Sequence, residues 1–327
     1  MQWLHGKPKH IESCQDNNEY TLDMDNVNDF FATLSSFLWG WPMIVLLLGT
    51  HVFLTVRLRF PQRKLFTAIR ISVQRDKSQK GDVSQFGALA TALAATIGTG
   101  NIIGVATAVA LGGPGAVFWC WLTGVFGIST KYSEALLAIK YRVKSESGRM
   151  LGGPMYTLER GLGWRKMGML FAVFTAIAAF GIGCTVQANA ISTIMHASYG
   201  ISTEVSGGVL MLLSAAVIIG GVRSVSKVCS MLVPLMALLY VLGCIFILCM
   251  NAGYVMPALR LIVCSAFSPQ AAGGGFAGAS VIMAARYGIA RGLFSYESGL
   301  GSAPIVAAAA RTKNPVRQAL VSSTGTF

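Results

Sequence analysis

The run ATIGTGNIIGVATAVALGGPGAVFWCW, from Ala95 to Trp121, is apolar enough to lie in a bilayer, yet it carries Gly98, Thr99, Gly100 and Asn101 where a membrane helix should be continuous. A backbone polar group left unpaired in hydrocarbon is costly. A break at membrane depth is therefore tolerated only where it is buried in protein or lines a cavity. Secondary transporters use such breaks, because an unwound helix frees backbone groups to hold substrate and ions. This one segment directs the reading of the whole chain toward a polytopic membrane protein with a site inside its helices.

The composition agrees. Of the 327 residues, 54% are hydrophobic and 12% are charged, against roughly 25% charged in soluble domains. A soluble helical core would need polar faces that most of the segments lack. A span takes about 20 apolar residues. Seven runs meet that expectation: Leu34–Val56, Phe86–Leu111, Ala116–Lys140, Met167–Met195, Val205–Gly221, Val228–Met250 and the interrupted Phe276–Ala310. Pro257–Phe267 is apolar but short, and reads as an interfacial or re-entrant piece. The stretch 1–33 is polar and acidic, and Leu34–Val56 is too long for a signal-peptide core.

Charge orients the spans. Arg57–Ser84 holds eight cations, and Lys140–Lys166 and Arg311–Arg317 are also basic. The connections at Ala106–Gly115 and Ser198–Thr203 hold none, and Asn251–Gln270 holds only Arg260. The positive-inside rule then places Arg57–Ser84 in the cytoplasm and the N-terminus outside, in a multi-pass protein of the plasma (inner) membrane. The basic loops have no aromatic or glycine interleaving, which argues against nucleic acid as a partner.

A second break lies in RGLFSYESGLGSAP, Arg291–Pro304. Five runs separate the start of the first interrupted span from the start of the second. Paired, glycine-interrupted spans in corresponding positions point to an inverted-repeat transporter. The expected architecture is one complete five-helix repeat and the start of a second, with residues 34–327 as the transmembrane part. A five-plus-five plan would need about four more spans after Phe327, so the sequence reads as C-terminally incomplete.

Several groups are candidates for chemistry. At the first break, freed carbonyls suit a cation. The helix N-terminus beginning near Asn101 suits a substrate carboxylate. Gly100 and Gly104 also fit small-residue helix packing. At the second break Glu297 is an intramembrane carboxylate, a functional suspect by default; it can face a cation or substrate ammonium, accept backbone N–H bonds, or pair with Arg291. Glu134 reads as a local ion pair with Lys131. Gln187 and Asn189, in mid-span, either bridge helices or reach a substrate. Gly273–Gly278 fits GxGxxG literally but lacks the surrounding βαβ unit. Seven cysteines without a CxxC pair read as small buried hydrophobes, and four scattered histidines lack metal-ligand spacing. No Ser nucleophile has a His partner, so no enzyme is expected. Trp119 and Trp121 read as interfacial anchors.

Five blocks in order, GTGNIIGVATA, GGPGAVFWCW, KYSEALLAIKYR, GGPMYTLERGLG and RGLFSYESGLGSAP, resemble the alanine or glycine:cation (sodium:alanine) symporter family of the amino acid–polyamine–cation superfamily. The resemblance covers Leu34 to the end. It implies a leucine-transporter-like fold preceded by one extra helix, Leu34–Val56. It also implies uptake of small neutral amino acids, alanine or glycine, coupled to Na⁺ or H⁺, by alternating access and without a resident cofactor. Carried onto this chain, Thr99, Gly100, Asn101, Gln187, Phe294, Ser295 and Gly299 would contact substrate. Gly98, Asn101 and Glu297 would serve the coupling cation. The sequence departs from the family pattern at Cys120, where Met is usual, at Gly124, where a small non-glycine residue is usual, and at Tyr296, where Asn is usual. The alternative reading is a truncated or split product of such a symporter that does not transport by itself.

Overall fold

The structure, a computed structural model, describes residues 15–74, 81–267 and 281–326. Fifteen α-helices account for almost all of it: α1 Gln15–Leu38, α2 Trp41–Arg57, α3 Leu65–Val73, α4 Gln85–Thr96, α5 Thr99–Gly112, α6 Gly115–Lys140, α7 Pro154–Leu162, α8 Arg165–Ala178, α9 Val186–Tyr199, α10 Thr203–Ile218, α11 Gly221–Met250, α12 Ala252–Phe267, α13 Val281–Tyr296, α14 Ala303–Ala308 and α15 Pro315–Ser323. The all-helical expectation needs one amendment. Val143–Lys144 (β1) pairs antiparallel with Met150–Leu151 (β2) in a minimal hairpin after α6.

The chain divides into two compact units, residues 1–46 and 47–327. In the first, α1 begins at Gln15, so the acidic stretch is helical from there on. The second holds both breaks.

Helix boundaries follow local chemistry. Ser84 caps α4 by accepting from the Gly87 N–H, and Asn314 caps α15 by accepting from the Val316 N–H. Between α5 and α6 the GGPG turn needs Gly113 at φ 73°, which only glycine adopts freely, with Pro114 opening the next helix. The span predicted at Met167–Met195 runs continuously from Arg165 to Tyr199. Its middle turn, Ala179–Thr185, is a π-helix immediately before Gln187, the kind of local widening often found at functional sites.

Among the described residues three helices are long and apolar enough to cross a membrane: Asn26–Arg57, Arg165–Tyr199 and Gly221–Met250. The bent pair α4–α5 adds a fourth. This is fewer than the seven runs read from the sequence, for physical reasons. Helix α10, in the Val205–Gly221 run, has 16 residues. The 26-residue α6 is long enough, roughly 39 Å, but carries buried polar residues, Thr123, Ser129, Thr130 and Lys131. The Phe276–Ala310 segment is divided into α13 and α14. Pro257–Phe267 belongs to the continuous helix α12 rather than to a separate short piece.

Two further expectations are corrected. Of the six described cysteines only Cys120 is buried, while Cys184, Cys249 and Cys264 face outward. Trp119 is not a free anchor: its Nε1–H donates to the Ala266 carbonyl at 3.3 Å and its ring meets Phe267. The Gly273–Gly278 motif lies outside the described residues.

The second unit is built around α6, against which α13, α15, α12, α14 and α5 pack. Helices α6 and α13 approach closely because α13 presents glycine. A Cβ at Gly292 would stand 2.7 Å from Thr123 Cβ, and one at Gly288 would overlap the Ala116 carbonyl.

Candidate functional site

The first break is short. Helix α4 ends at Thr96, Ile97 (φ −91°, ψ 76°) and Gly98 (φ −138°, ψ 177°) are extended, and α5 starts at Thr99. The two half-helices are bent by 41°. Thr99 and Gly100 form the first turn of α5. The second break is longer: six residues, 297–302, separate α13 from α14. It contains three left-handed residues, Glu297 (φ 49°), Gly299 (φ 89°) and Gly301 (φ 78°). Glu297 is the exception among them, since a non-glycine residue rarely adopts this conformation.

The fold brings the two breaks side by side. Helix α5 packs on α13, and α4 packs on α14. At the far ends of α4 and α14, Asp82 and Val83 N–H donate to the Ala309 carbonyl, at 2.8 and 3.2 Å, and Arg311 N–H donates to the Val83 carbonyl at 2.7 Å. The broken helices therefore run antiparallel and meet at their interruptions.

Asn101 is where they meet. Its Nδ2–H₂ donates to the Thr96 carbonyl on the near side of its own break, and to the Ser295 carbonyl at 3.4 Å across the interface. Its Oδ1 accepts from the Arg291 guanidinium at 3.1 Å. Its backbone N–H closes the first turn of α5 on the Gly98 carbonyl at 3.0 Å. One side chain thus ties together both halves of the first broken helix and the end of α13.

Gln187 lies opposite. A Cβ placed on Gly98 would come 3.6 Å from its Oε1 and 3.7 Å from its Nε2, so the absent side chain of Gly98 leaves the amide facing bare backbone. Ser295 is buried, and its Oγ has no hydrogen-bond partner among the described residues. Phe294 is the neighbouring residue on α13. Asn189 is exposed. Gly299 is placed apart from these: its Cα faces Leu47, His51 and Thr130, on the side of α2 and α6. Thus Gly98, Asn101, Gln187 and Ser295 converge, while Gly299 shapes the second break from behind.

Three charged side chains sit differently from the sequence expectation. Arg291 pairs with Asn101, not with Glu297. It occupies the space left by Gly104, where a Cβ would overlap the guanidinium; this glycine admits the arginine on the face where α5 packs against α13. Glu297 accepts from Ser302 Oγ at 3.3 Å. Lys131 makes no ion pair within 4 Å of Glu134; its ammonium donates to the Tyr296 carbonyl at 2.8 Å. The Glu134 carboxylate faces the backbone N–H groups of Gly299 and Gly301. Sequence proximity offers Glu134 to Lys131 and, among other options, Glu297 to Arg291, because α13 lies far along the chain from both α6 and α5 and only the packing unites them.

Cys120, Gly124 and Tyr296 also converge. The Tyr296 ring lies over Gly124, where a Cβ would be 2.7 Å from Cζ, and the Tyr296 hydroxyl is 3.9 Å from Cys120 Sγ. The tyrosine points into α6, where a missing Cβ and a short side chain make room for it.

A second polar cluster closes the same end of both broken helices. Arg142, just past α6, donates to the carbonyls of Ala308 (3.0 Å), Ala310 (2.8 Å) and Thr312 (2.6 Å). Asp82 accepts from the Met150 N–H at 2.8 Å. Burial pulls the Arg142 guanidinium below its ordinary value and the Asp82 charge opposes this; an arginine stays charged through such shifts. No cluster of three or more potential metal ligands occurs among the described residues.

Comparison with known proteins bears on what this arrangement does. Residues 24–327 match the model of the sodium:alanine symporter family. A protein of Haemophilus influenzae curated as an uncharacterised transporter is 52% identical over 303 residues, which cover 92% of this chain and 66% of that protein. The sodium/alanine symporter AgcS of Methanococcus maripaludis is 52% identical over 302 residues, covering 90% of this chain and 66% of its own length. The chain thus spans just under two thirds of the length of these curated relatives.

Proposed function

The chain belongs to the sodium:alanine symporter family, a family of membrane transporters rather than enzymes, and from that premise we propose that it takes part in Na⁺-coupled symport of a small neutral amino acid, alanine or glycine, across the plasma membrane. The observation that carries this reading is Asn101, which binds both halves of the first broken helix and the end of the second.

In this reading the substrate lies between the breaks. Thr99, Gly100 and Asn101 contact it from the first turn of α5, where free N–H groups and the positive end of the helix dipole suit a carboxylate. Gln187 reaches it from α9, and Phe294 and Ser295 from α13, with Gly299 allowing the chain to turn behind them. Gly98 and Asn101 serve the coupling cation at the first break, and Glu297 supplies a compensating charge at the second. The missing Cβ of Gly98 opposite Gln187 leaves room for a small side chain only. The antiparallel packing of α4–α5 on α13–α14 supports the inverted-repeat, leucine-transporter-like plan, with residues 34–327 as the transmembrane part. Val83 and Ala310 stand at one end of it, beside the basic residues that read as cytoplasmic; the N-terminus is then outside.

The test is uptake into proteoliposomes of labelled alanine and glycine, driven by Na⁺, by a proton gradient, or by neither. The expected result is accumulation that requires Na⁺ and falls about tenfold or more in Asn101→Ala, an interaction loss of at least ~1.4 kcal/mol. Uptake indifferent to both Na⁺ and Asn101 would remove the basis of the proposal, and a requirement for the proton gradient alone would reassign the coupling ion.

A further inference from the structure

Lys131 is 2% exposed, nine residues before the end of α6, at a depth where an uncompensated charge is costly. Its ammonium donates to the carbonyl of Tyr296, the last residue of α13. That carbonyl is released by the second break, because the chain turns left-handed at Glu297 and leaves the helix; Ser298 Oγ is its other donor, at 3.4 Å. Glu297, on the break itself, and Glu134, one turn along α6, are the carboxylates whose charge reaches the ammonium, neither as an ion pair within 4 Å. The Glu134 Oε2 is buried and has no hydrogen-bond partner among the described residues.

A helix-end carbonyl freed by a break, with carboxylates farther out to balance charge, suits a hard monovalent cation. Here that carbonyl is turned toward an ammonium carried by the protein. We propose that Lys131 is a tethered cation of the second break. Its charge does there what a bound Na⁺ would do: it holds the Tyr296 carbonyl and balances Glu134 and Glu297, but it does not leave. The inference deepens the proposed function, on which it rests, because it confines the exchangeable cation to the side of the first break. Lys131 acts through the Tyr296 carbonyl and is a positioning residue. Around the two breaks Lys131 and Arg291 then match Glu134 and Glu297 charge for charge, so a zwitterionic substrate meets a balanced site.

The geometry also says what should happen when the tether is cut. The Lys131 side chain lines a small cavity with Ala88 and Ala92 of α4 and Pro304 and Ala307 of α14. Lys131→Met keeps much of the side-chain volume and removes the charge, leaving a cation-shaped vacancy before two carboxylates. The test is thermal unfolding of the full chain in detergent, in choline chloride and in equal ionic strengths of sodium chloride or methylammonium chloride. The proteins compared are wild type, Lys131→Met, Lys131→Arg and Lys131→Met/Glu134→Gln. In Lys131→Met, sodium or methylammonium should raise the melting temperature by about 3 °C more than in wild type. Lys131→Arg should respond as wild type, and the double variant should lose the extra response. A Lys131→Met protein that responds to every salt as wild type does would overturn the proposal. Should Lys131→Met fail to fold, folding of the double variant supports charge compensation and its failure overturns it. The readout does not use transport, so its failure is distinguishable from the absence of Na⁺-driven alanine uptake by wild type.

Discussion

Asn101 does in this protein what no pair of backbone groups can do: its one side chain donates back across its own helix break to Thr96 and over to Ser295 of α13, and accepts from Arg291 of that same helix. Its place in a glycine-rich interruption marks it in the sequence as unusual, and Gln187 is marked by being an amide in an apolar run. Other residues at the breaks are silent until the fold is known. Tyr296, Gly124 and Cys120 are three separate oddities along the chain and one packing unit in space. Gly124→Ala should drive a methyl group into the tyrosine ring at 2.7 Å and cost about 1–3 kcal/mol, as overpacking does. Adding Tyr296→Asn should recover most of that loss. A double-mutant cycle of denaturant unfolding measures the coupling; additive effects would mean that the two residues do not share the space.

At the scale of elements, local signals foretold where helices stop. Gly98, Gly113–Pro114, Gly153–Pro154 and Gly299–Gly301 all lie at boundaries. What local signals do not carry is which helices become neighbours, and the end-to-end closure of α4 and α14 is such a case. Arg142 was legible only as one more cytoplasmic cation; its role comes from three carbonyls some 166 to 170 residues later. Hydrogen bonds to a charged donor are worth about 1.5–3 kcal/mol each before solvent screening, and this side chain is only part-buried. Arg142→Ala should therefore lower stability by about 2–4 kcal/mol in total. Arg142→Lys should recover only part of it, because an ammonium lacks the planar fork that reaches several acceptors. Melting temperatures of the three proteins check this; equal values for wild type and Arg142→Ala would show that the clamp does not hold the helix ends.

For the whole molecule, charge and periodicity read the membrane class and the order of the apolar runs, of which three, or four with the bent pair, are helices long and apolar enough to cross a membrane among the described residues. Orientation follows from the basic loops and is checked with cysteine-free protein in intact cells and a membrane-impermeant maleimide. A label should reach Ser202→Cys directly and Ser145→Cys only after permeabilisation; the reverse pattern would invert the topology. The central claim is that the paired breaks form one site for an amino acid and its coupling cation. Its most direct test is equilibrium binding of labelled alanine to the purified protein, with and without Na⁺. The account predicts saturable binding that requires Na⁺, is lost in Asn101→Ala and in Gly98→Val, which crowds Gln187, and is retained in Arg142→Lys. Binding that is absent in wild type, or that survives both substitutions at the break, would contradict it.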